Sequence, residues 1–180
     1  MDIFALFGLK QQQAPKSDPA SEDMLCKISN TLDQLSETET KFIASFAYIL
    51  GRVAHADLEI SEQETQRMEH ILQERGGLLK EQATLIVQIA KTQNYLFGST
   101  KNFIITREFA HIATHSQKLD LLCCLFSVCS SDHAISTIED NEIRGVTREI
   151  GLSHNDFIAT RGKYIEHLTV LKKNPKSLSS

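Results

Sequence analysis

Apolar residues recur every three or four positions through most of the chain, which is the period of helices that bury one face. One broad apolar stripe covers residues 42–53 and a second covers residues 119–129. Residues 82–90 and 103–112 show the same period less regularly. No Asn-Gly or Asp-Gly turn separates segments of alternating polarity, so a β-sheet has little support. The pattern predicts an all-α protein with about seven helices.

Start and stop signals mark the ends of the predicted helices. In a Ser-x-x-Glu capping box, each side chain accepts a hydrogen bond from the backbone N–H of the other residue. The boxes begin at Ser36, Ser61 and Ser136, and a version with Asp in place of Glu begins at Ser153. Glycines at positions 76, 77 and 151 predict helix ends, because glycine tolerates the left-handed backbone found there.

Two segments of the chain, 75 positions apart, share one pattern. Residues 56–64 read ADLEISEQE and residues 131–139 read SDHAISTIE, so Asp, Ile, Ser and Glu occupy the same places in both. Each segment follows a long apolar stripe, and Met68 and Ile143 then stand at the same offset from their aspartates. The repeat predicts a duplicated helix-loop-helix hairpin, with the two halves packed around one core.

This pattern, A-D-x-x-I-S-x-x-E after an apolar helix, resembles the tellurite-resistance TerB family, which is related to the N-terminal region of the co-chaperone DjlA. Further similar residues extend from Leu125 to Ile158, and the resemblance covers about residues 41–163. It implies a compact helical bundle in which a pseudo-twofold axis relates the hairpins. It also implies a non-enzymatic module that acts in a stress response, such as tellurite resistance, or in protein interaction.

The resemblance further implies a divalent cation site, because acidic residues from the two loops of the family lie near each other. Carried over position by position, the metal ligands would be Asp57, Glu64, Asp132 and Glu139. Carboxylate oxygens suit hard cations such as Ca²⁺ or Mg²⁺. However, the two glutamates also fit as capping residues, and the two aspartates fit as turn residues, without any metal. Both interpretations stay open at this point.

One departure from the family bears on this site. TerB-like proteins usually have Gly directly after each loop aspartate, where this chain has Leu58 and His133. If the backbone there is left-handed, Leu carries a steric cost of about 1 kcal/mol that Gly avoids. Either the loops follow a different local path in this chain, or the cation function has decayed.

Sequence motifs of enzyme chemistry are missing. No GxSxG elbow, Walker loop or GxGxxG turn is present. His111 and His115 have the spacing that places two imidazoles on one helical face, as in some zinc sites, but no third ligand accompanies them, which favours a solvated helix end. We therefore expect that the chain is not an enzyme. The alternative function is a small metal-dependent hydrolase that uses the same four carboxylates.

Composition narrows the classes of partner. A chain of 180 residues fits one domain, and its net charge of −4 disfavours nucleic-acid binding. No apolar run approaches the roughly 20 residues of a transmembrane helix. The sequence lacks an export signal and a CxxC motif, so its four cysteines are expected to act as small apolar residues in the cytoplasm. They are Cys26, Cys123, Cys124 and Cys129.

The ends of the chain differ from its body. We expect an amphipathic segment at residues 1–10, a linker at 11–20, the helical domain at 21–172 and a disordered tail at 173–180. The apolar residues of the first segment could dock on a partner protein or on the chain's own bundle. Docking on a membrane is disfavoured, because few basic residues lie near this segment. A protein partner is expected, while its identity and the oligomeric state stay open.

Overall fold

The computed structural model describes residues 30, 33–54, 62–96, 102–131 and 134–168. Within these ranges it contains seven α-helices and no β-strand, which confirms the predicted all-α bundle. The expected N-terminal segment and linker and the expected tail lie outside the described residues.

The seven helices are numbered here in chain order. They are α1 (Glu37–Ala54), α2 (Glu62–Gly76), α3 (Lys80–Leu96), α4 (Asn102–Ile112), α5 (His115–Ser130), α6 (Thr137–Glu149) and α7 (His154–Gly162), followed by a 3₁₀ turn at Ile165–His167. Each of the four apolar segments found in the sequence lies within one of these helices. None of the described helices is both long and apolar enough to cross a lipid bilayer.

Capping boxes start three of these helices as predicted. Before α1, the Ser36 N–H donates to Glu39 Oε2 at 3.1 Å, and the Glu39 N–H donates to Ser36 Oγ at 3.3 Å. Equivalent boxes at Ser136 and Ser153 start α6 and α7. Ser61 lies outside the described residues, although α2 begins at the next position.

The predicted glycine stops are also present. Gly77 follows α2 with φ of 62°, and Gly151 follows α6 with φ of 78°. After α6, the Gly151 N–H donates to the Arg148 carbonyl at 3.1 Å, and the Leu152 N–H donates to the Thr147 carbonyl at 3.0 Å. These two bonds form a Schellman motif, which satisfies carbonyl groups that the helix end would otherwise leave unpaired.

One apolar core joins the two halves of the chain. Phe46 of α1 and Phe109 of α4 are fully buried on one side, with their ring centroids 6.1 Å apart. Phe126 of α5 and Phe157 of α7 are buried on the other side, with centroids 5.8 Å apart. The core therefore draws on helices from both halves.

Three of the four cysteines lie in α5, and no disulfide joins any two of these three. Cys124 and Cys129 are buried among the core residues, and Cys123 is half-buried. The two buried thiols thus behave as the small apolar residues that the sequence predicted. Cys26 lies outside the described residues.

Helix contacts between the halves occur in reciprocal pairs. α2 packs on α5 and α6 packs on α1, while α1 and α5 also contact each other. Within the halves, α1 contacts α3 as α5 contacts α7, and α2 contacts α3 as α6 contacts α7. α2 and α6 begin at positions 62 and 137, the same offset as the sequence repeat, and Met68 and Ile143 are both buried. These pairs are the contacts expected of two hairpins related by a pseudo-twofold axis, whereas α4, which contacts α1 and α6, has no counterpart in the other half.

Candidate cation site at the acidic loops

Of the four predicted cation ligands, only Glu139 has a described side chain. Asp57 and Asp132 lie outside the described residues. The backbone of Glu64 belongs to α2, but its side chain is outside the described part. The convergence of the four carboxylates therefore stays a prediction.

Glu139 lies in the first turn of α6 and is half-buried. Its Oε2 accepts a hydrogen bond from the Ser136 N–H at 2.7 Å, and its own N–H donates to Ser136 Oγ at 3.1 Å. The predicted capping role of Glu139 is thus confirmed. Within the described part of the chain the cap uses only Oε2, so Oε1 is left for another partner.

Just before the cap, Ile135 anchors the end of the second loop. It is buried, and its N–H donates to the His167 carbonyl at 2.7 Å. Ile135 also forms a single parallel bridge with Leu168, which is buried too. The segment after the 3₁₀ turn therefore holds this loop end in place. Ile60, its counterpart in the first half, lies outside the described residues.

The first half of α2 lies beside the end of α5. Arg67 Nη1 donates to the carbonyl oxygen of Ser131 at 3.0 Å. Farther along the same helix, the carbonyl of Ile71 lies 4.0 Å from Cys124 Sγ, so the two helices run in opposite directions. α2 follows the first loop and Ser131 directly precedes Asp132 in the second loop. This contact joins the helix after one acidic loop to the helix before the other.

A second contact joins the other two flanking helices. Arg52, in the last turn of α1, donates from Nη1 to Glu149 Oε2 at 2.7 Å and from Nη2 to Glu149 Oε1 at 3.1 Å. Its Nε also donates to Glu142 Oε1. Only 14% of the Arg52 side chain is exposed. The helix before the first loop is therefore tied to the helix after the second loop.

Electrostatics keep Glu149 ionised in this cluster. Burial by itself would raise the pKa of Glu149, but hydrogen bonds from Arg52 and Thr106 and the charges of Arg52 and Arg148 outweigh burial. The pKa of Glu149 consequently lies below its ordinary value. At neutral pH the paired form of Arg52 and Glu149 is the stable one.

Asp140, the neighbour of Glu139, already has a partner. Arg161 of α7 donates from Nε to Asp140 Oδ1 at 2.8 Å and from Nη2 to Asp140 Oδ2 at 2.9 Å. The Asp140 carboxylate is buried, and both of its oxygens accept from the guanidinium. It therefore fixes α7 against α6 and is not a candidate ligand.

The described residues contain no group of three or more His, Cys, Asp or Glu side chains that could hold a metal ion. His111 lies in the last turn of α4, whereas His115 begins α5. The prediction that one helical face carries both histidines was therefore wrong, because a new helix begins between them, capped by Thr114. Both side chains are exposed at helix ends, as the alternative interpretation expected.

The chain is similar to a known protein family over both hairpins. A family model described as tellurite resistance protein TerB matches residues 42–162. The matched range extends from the first turns of α1 to the end of α7, so it contains both hairpins and both acidic loops. This chain belongs to the TerB family. Comparisons with curated proteins and with solved structures gave no significant match.

The four carboxylates remain the predicted donor set of this TerB domain, and only Glu139 among them has a described side chain. Four carboxylates offer only oxygen ligands, which suit Ca²⁺ or Mg²⁺ better than softer metals. Glu139 retains one carboxylate oxygen outside its cap, so it could serve as a cap and as a ligand together. Sequence reasoning found Glu139 but missed Arg52 and Arg67, since contacts between distant positions leave no local signal.

Proposed function

We propose that this TerB domain is a non-enzymatic module that binds one divalent cation, Ca²⁺ or Mg²⁺, between its two acidic loops. The ligands would be Asp57 and Glu64 from the first loop and Asp132 and Glu139 from the second. In the cell the module would act in a stress response, such as tellurite resistance, or in protein interaction.

The observation that carries the proposal is the hydrogen bond from Arg67 to the Ser131 carbonyl. It holds the beginning of α2 against the end of α5, so the first loop ends and the second loop begins at one side of the bundle. Asp132 is the next residue after Ser131, and Glu64 is one turn before Arg67. This placement supports a single site shared by the two loops.

Charge repulsion is the main argument for a cation there. Two carboxylates about 4 Å apart repel each other by about 4 kcal/mol at an effective dielectric constant near 20. Part of this repulsion is offset by the N-termini of α2 and α6, each of which favours a nearby negative charge by about 0.3 to 1 kcal/mol. A divalent cation would offset the remainder, and its binding would stabilise the folded chain.

Titration calorimetry and thermal unfolding with Ca²⁺, Mg²⁺ and Mn²⁺ test this proposal. A cation at 100 times its Kd stabilises the folded state by about 2.7 kcal/mol, which appears as a rise in Tm. The Asp57→Asn/Asp132→Asn variant should lose both the binding heat and the rise in Tm.

A matched control removes two carboxylates elsewhere. Glu74 and Glu81 are exposed at the turn between α2 and α3, and Glu74 lies about 18 Å along the helix from the start of α2. The Glu74→Gln/Glu81→Gln variant changes the net charge by the same amount and should bind the cation as the wild type does. If millimolar cation leaves the Tm of the wild type unchanged, the acidic loops have only a capping role.

The biological role needs a separate test. Cells that lack the gene should be compared on tellurite with cells that carry the wild type or the Asp57→Asn/Asp132→Asn variant. If the cation site serves tellurite resistance, only the wild type restores growth. Equal growth of all three strains would contradict a role in tellurite resistance.

A further inference from the structure

A cleft of about 440 Å³ opens far from the acidic loops. It lies between the first turn of α1, the turn that joins α2 to α3, and the junction of α4 and α5. α2 extends about 22 Å from the first loop to this turn, so the cleft is at the other end of the bundle. Its volume is within the range of roughly 300 to 1,000 Å³ that is typical of ligand sites.

The cleft combines apolar walls with a carboxylate. Phe42, Ile43, Leu78 and Ile112 supply the apolar surface. Asp120 of α5 also lines the cleft and forms no hydrogen bond or ion pair within the described part of the chain. Burial raises the pKa of the Asp120 carboxyl, so a nearby positive charge would be favourable there. These walls fit an amphipathic segment that has large apolar side chains and one cation.

We propose that the N-terminal segment of this same chain docks in the cleft. In this arrangement Phe4 and Phe7 pack on the apolar walls, and Lys10 pairs with Asp120. The segment reads MDIFALFGLK, with six large apolar residues before the lysine. Phe4 and Phe7 are three positions apart, which places them on one side if the segment is helical.

The tether favours the chain's own segment over a free partner. Thr38, in the first turn of α1, lines the mouth of the cleft, so the chain that precedes α1 enters the bundle beside it. The 22 residues between Lys10 and Asp33 can span up to about 75 Å when extended, so the segment can reach the cleft. Because the segment and the cleft belong to one chain, docking is intramolecular and does not depend on the concentration of a partner.

A single fluorescent probe tests the proposal in the full chain. The sequence contains no tryptophan, so Phe7→Trp introduces the only indole. In the docked state its emission should shift to shorter wavelength, and acrylamide should quench it weakly. Adding Asp120→Lys should shift the emission to longer wavelength and restore strong quenching.

Two further variants make the test specific. Lys10 does not belong to any of the seven described helices, so Lys10→Glu should release the segment without unfolding them, and Lys10→Glu/Asp120→Lys should restore docking by reversing both charges. Glu81→Lys, an exposed charge reversal on α3, should leave the emission unchanged. Circular dichroism verifies that each variant is folded.

Several outcomes would overturn the proposal. A fully quenched, solvent-exposed indole in the Phe7→Trp chain would show that the segment does not dock. Burial that increases with protein concentration would assign the cleft to a second copy, and burial only with anionic vesicles would assign the segment to membranes. An indole that stays buried in each of the single charge reversals, Lys10→Glu alone and Asp120→Lys alone, would place the segment elsewhere on the protein.

Discussion

Arg52 and Glu149 meet through two nearly parallel hydrogen bonds, although 97 positions separate them in the chain. The planar guanidinium faces both carboxylate oxygens, which is the strongest geometry for such a pair. Arg52 belongs to the first hairpin and Glu149 to the second, so the pair fixes one half against the other.

Replacing Arg52 should destabilise the fold. The Arg52→Met variant leaves Glu142 and Glu149 without their shared cation, and we expect the free energy of unfolding to fall by about 2 to 3 kcal/mol. The loss should be smaller than for a fully buried pair, because 27% of the Glu149 side chain is exposed. Urea denaturation at pH 7 measures it.

Lys41→Met, in the same helix, is the control. Lys41 pairs with Glu37, whose side chain is 73% exposed, and lies 3.7 Å from Glu108, so its removal should lower the free energy of unfolding by less than the removal of Arg52 does. Equal losses for Arg52→Met and Lys41→Met would show that the Arg52 cluster contributes no more than a surface pair.

The same cluster should make stability sensitive to acid. The pKa of Glu149 is lowered by folding, so its contribution is fully present above the unfolded value of about 4.5 and is lost as pH falls through the lower folded value. The free energy of unfolding of the wild type should therefore fall from pH 5 toward pH 3. Glu149→Gln should show a shallower decline over this window, and parallel curves for the two proteins would contradict the assignment.

Glu139 allows its capping role and its proposed ligand role to be separated. Glutamine also serves in a capping box, so Glu139→Gln should keep the stability of the cation-free protein nearly unchanged while weakening cation binding. Ser136→Ala should leave cation binding nearly unchanged and lower the free energy of unfolding by about 1 kcal/mol through loss of the cap. Calorimetry and urea denaturation of both variants give the comparison. Unaltered cation affinity in Glu139→Gln would remove this residue from the site.

Two glycines near α6 should respond to alanine with opposite signs. At both Gly145 and Gly151 an added Cβ would meet no atom within 4 Å, so steric contact does not decide the outcome. Gly151 has φ of 78°, and Gly151→Ala should lower the free energy of unfolding by about 1 kcal/mol. Gly145 lies inside the helix, so Gly145→Ala should raise it by about 0.5 to 1 kcal/mol. Thermal unfolding of the two variants measures the sign of each change in the free energy of unfolding. A lower free energy of unfolding in both variants would contradict this explanation.

Local signals in the sequence were enough to predict the helical fold. The caps at Ser36, Ser136 and Ser153 and the stop at Gly151 depend on side chains within a few positions of each other, so a short motif is sufficient. A similar motif with other residue types, Thr114 followed by Gln117, caps α5 in the same way. This cap starts a new helix between His111 and His115, which is why the spacing of the two histidines wrongly indicated one helix.

The candidate site was predictable only in part, because its frame depends on distant contacts. Glu139 could be identified from its position in the repeat, and its cap is confirmed. Nothing near Arg52 or Arg67 in the sequence indicates that one reaches Glu149 and the other reaches Ser131. Such pairs form only when the apolar helix faces have brought the two halves together, so local patterns cannot reveal them.

The reciprocal packing of α2 on α5 and of α6 on α1 has the form of an interface between two identical subunits. In a dimer of separate chains, such an interface forms or dissociates according to the protein concentration. Here one continuous backbone joins both sides, so dilution cannot separate them. The two hairpins of this chain therefore pack on each other as the subunits of a dimer would, but their packing does not depend on the protein concentration.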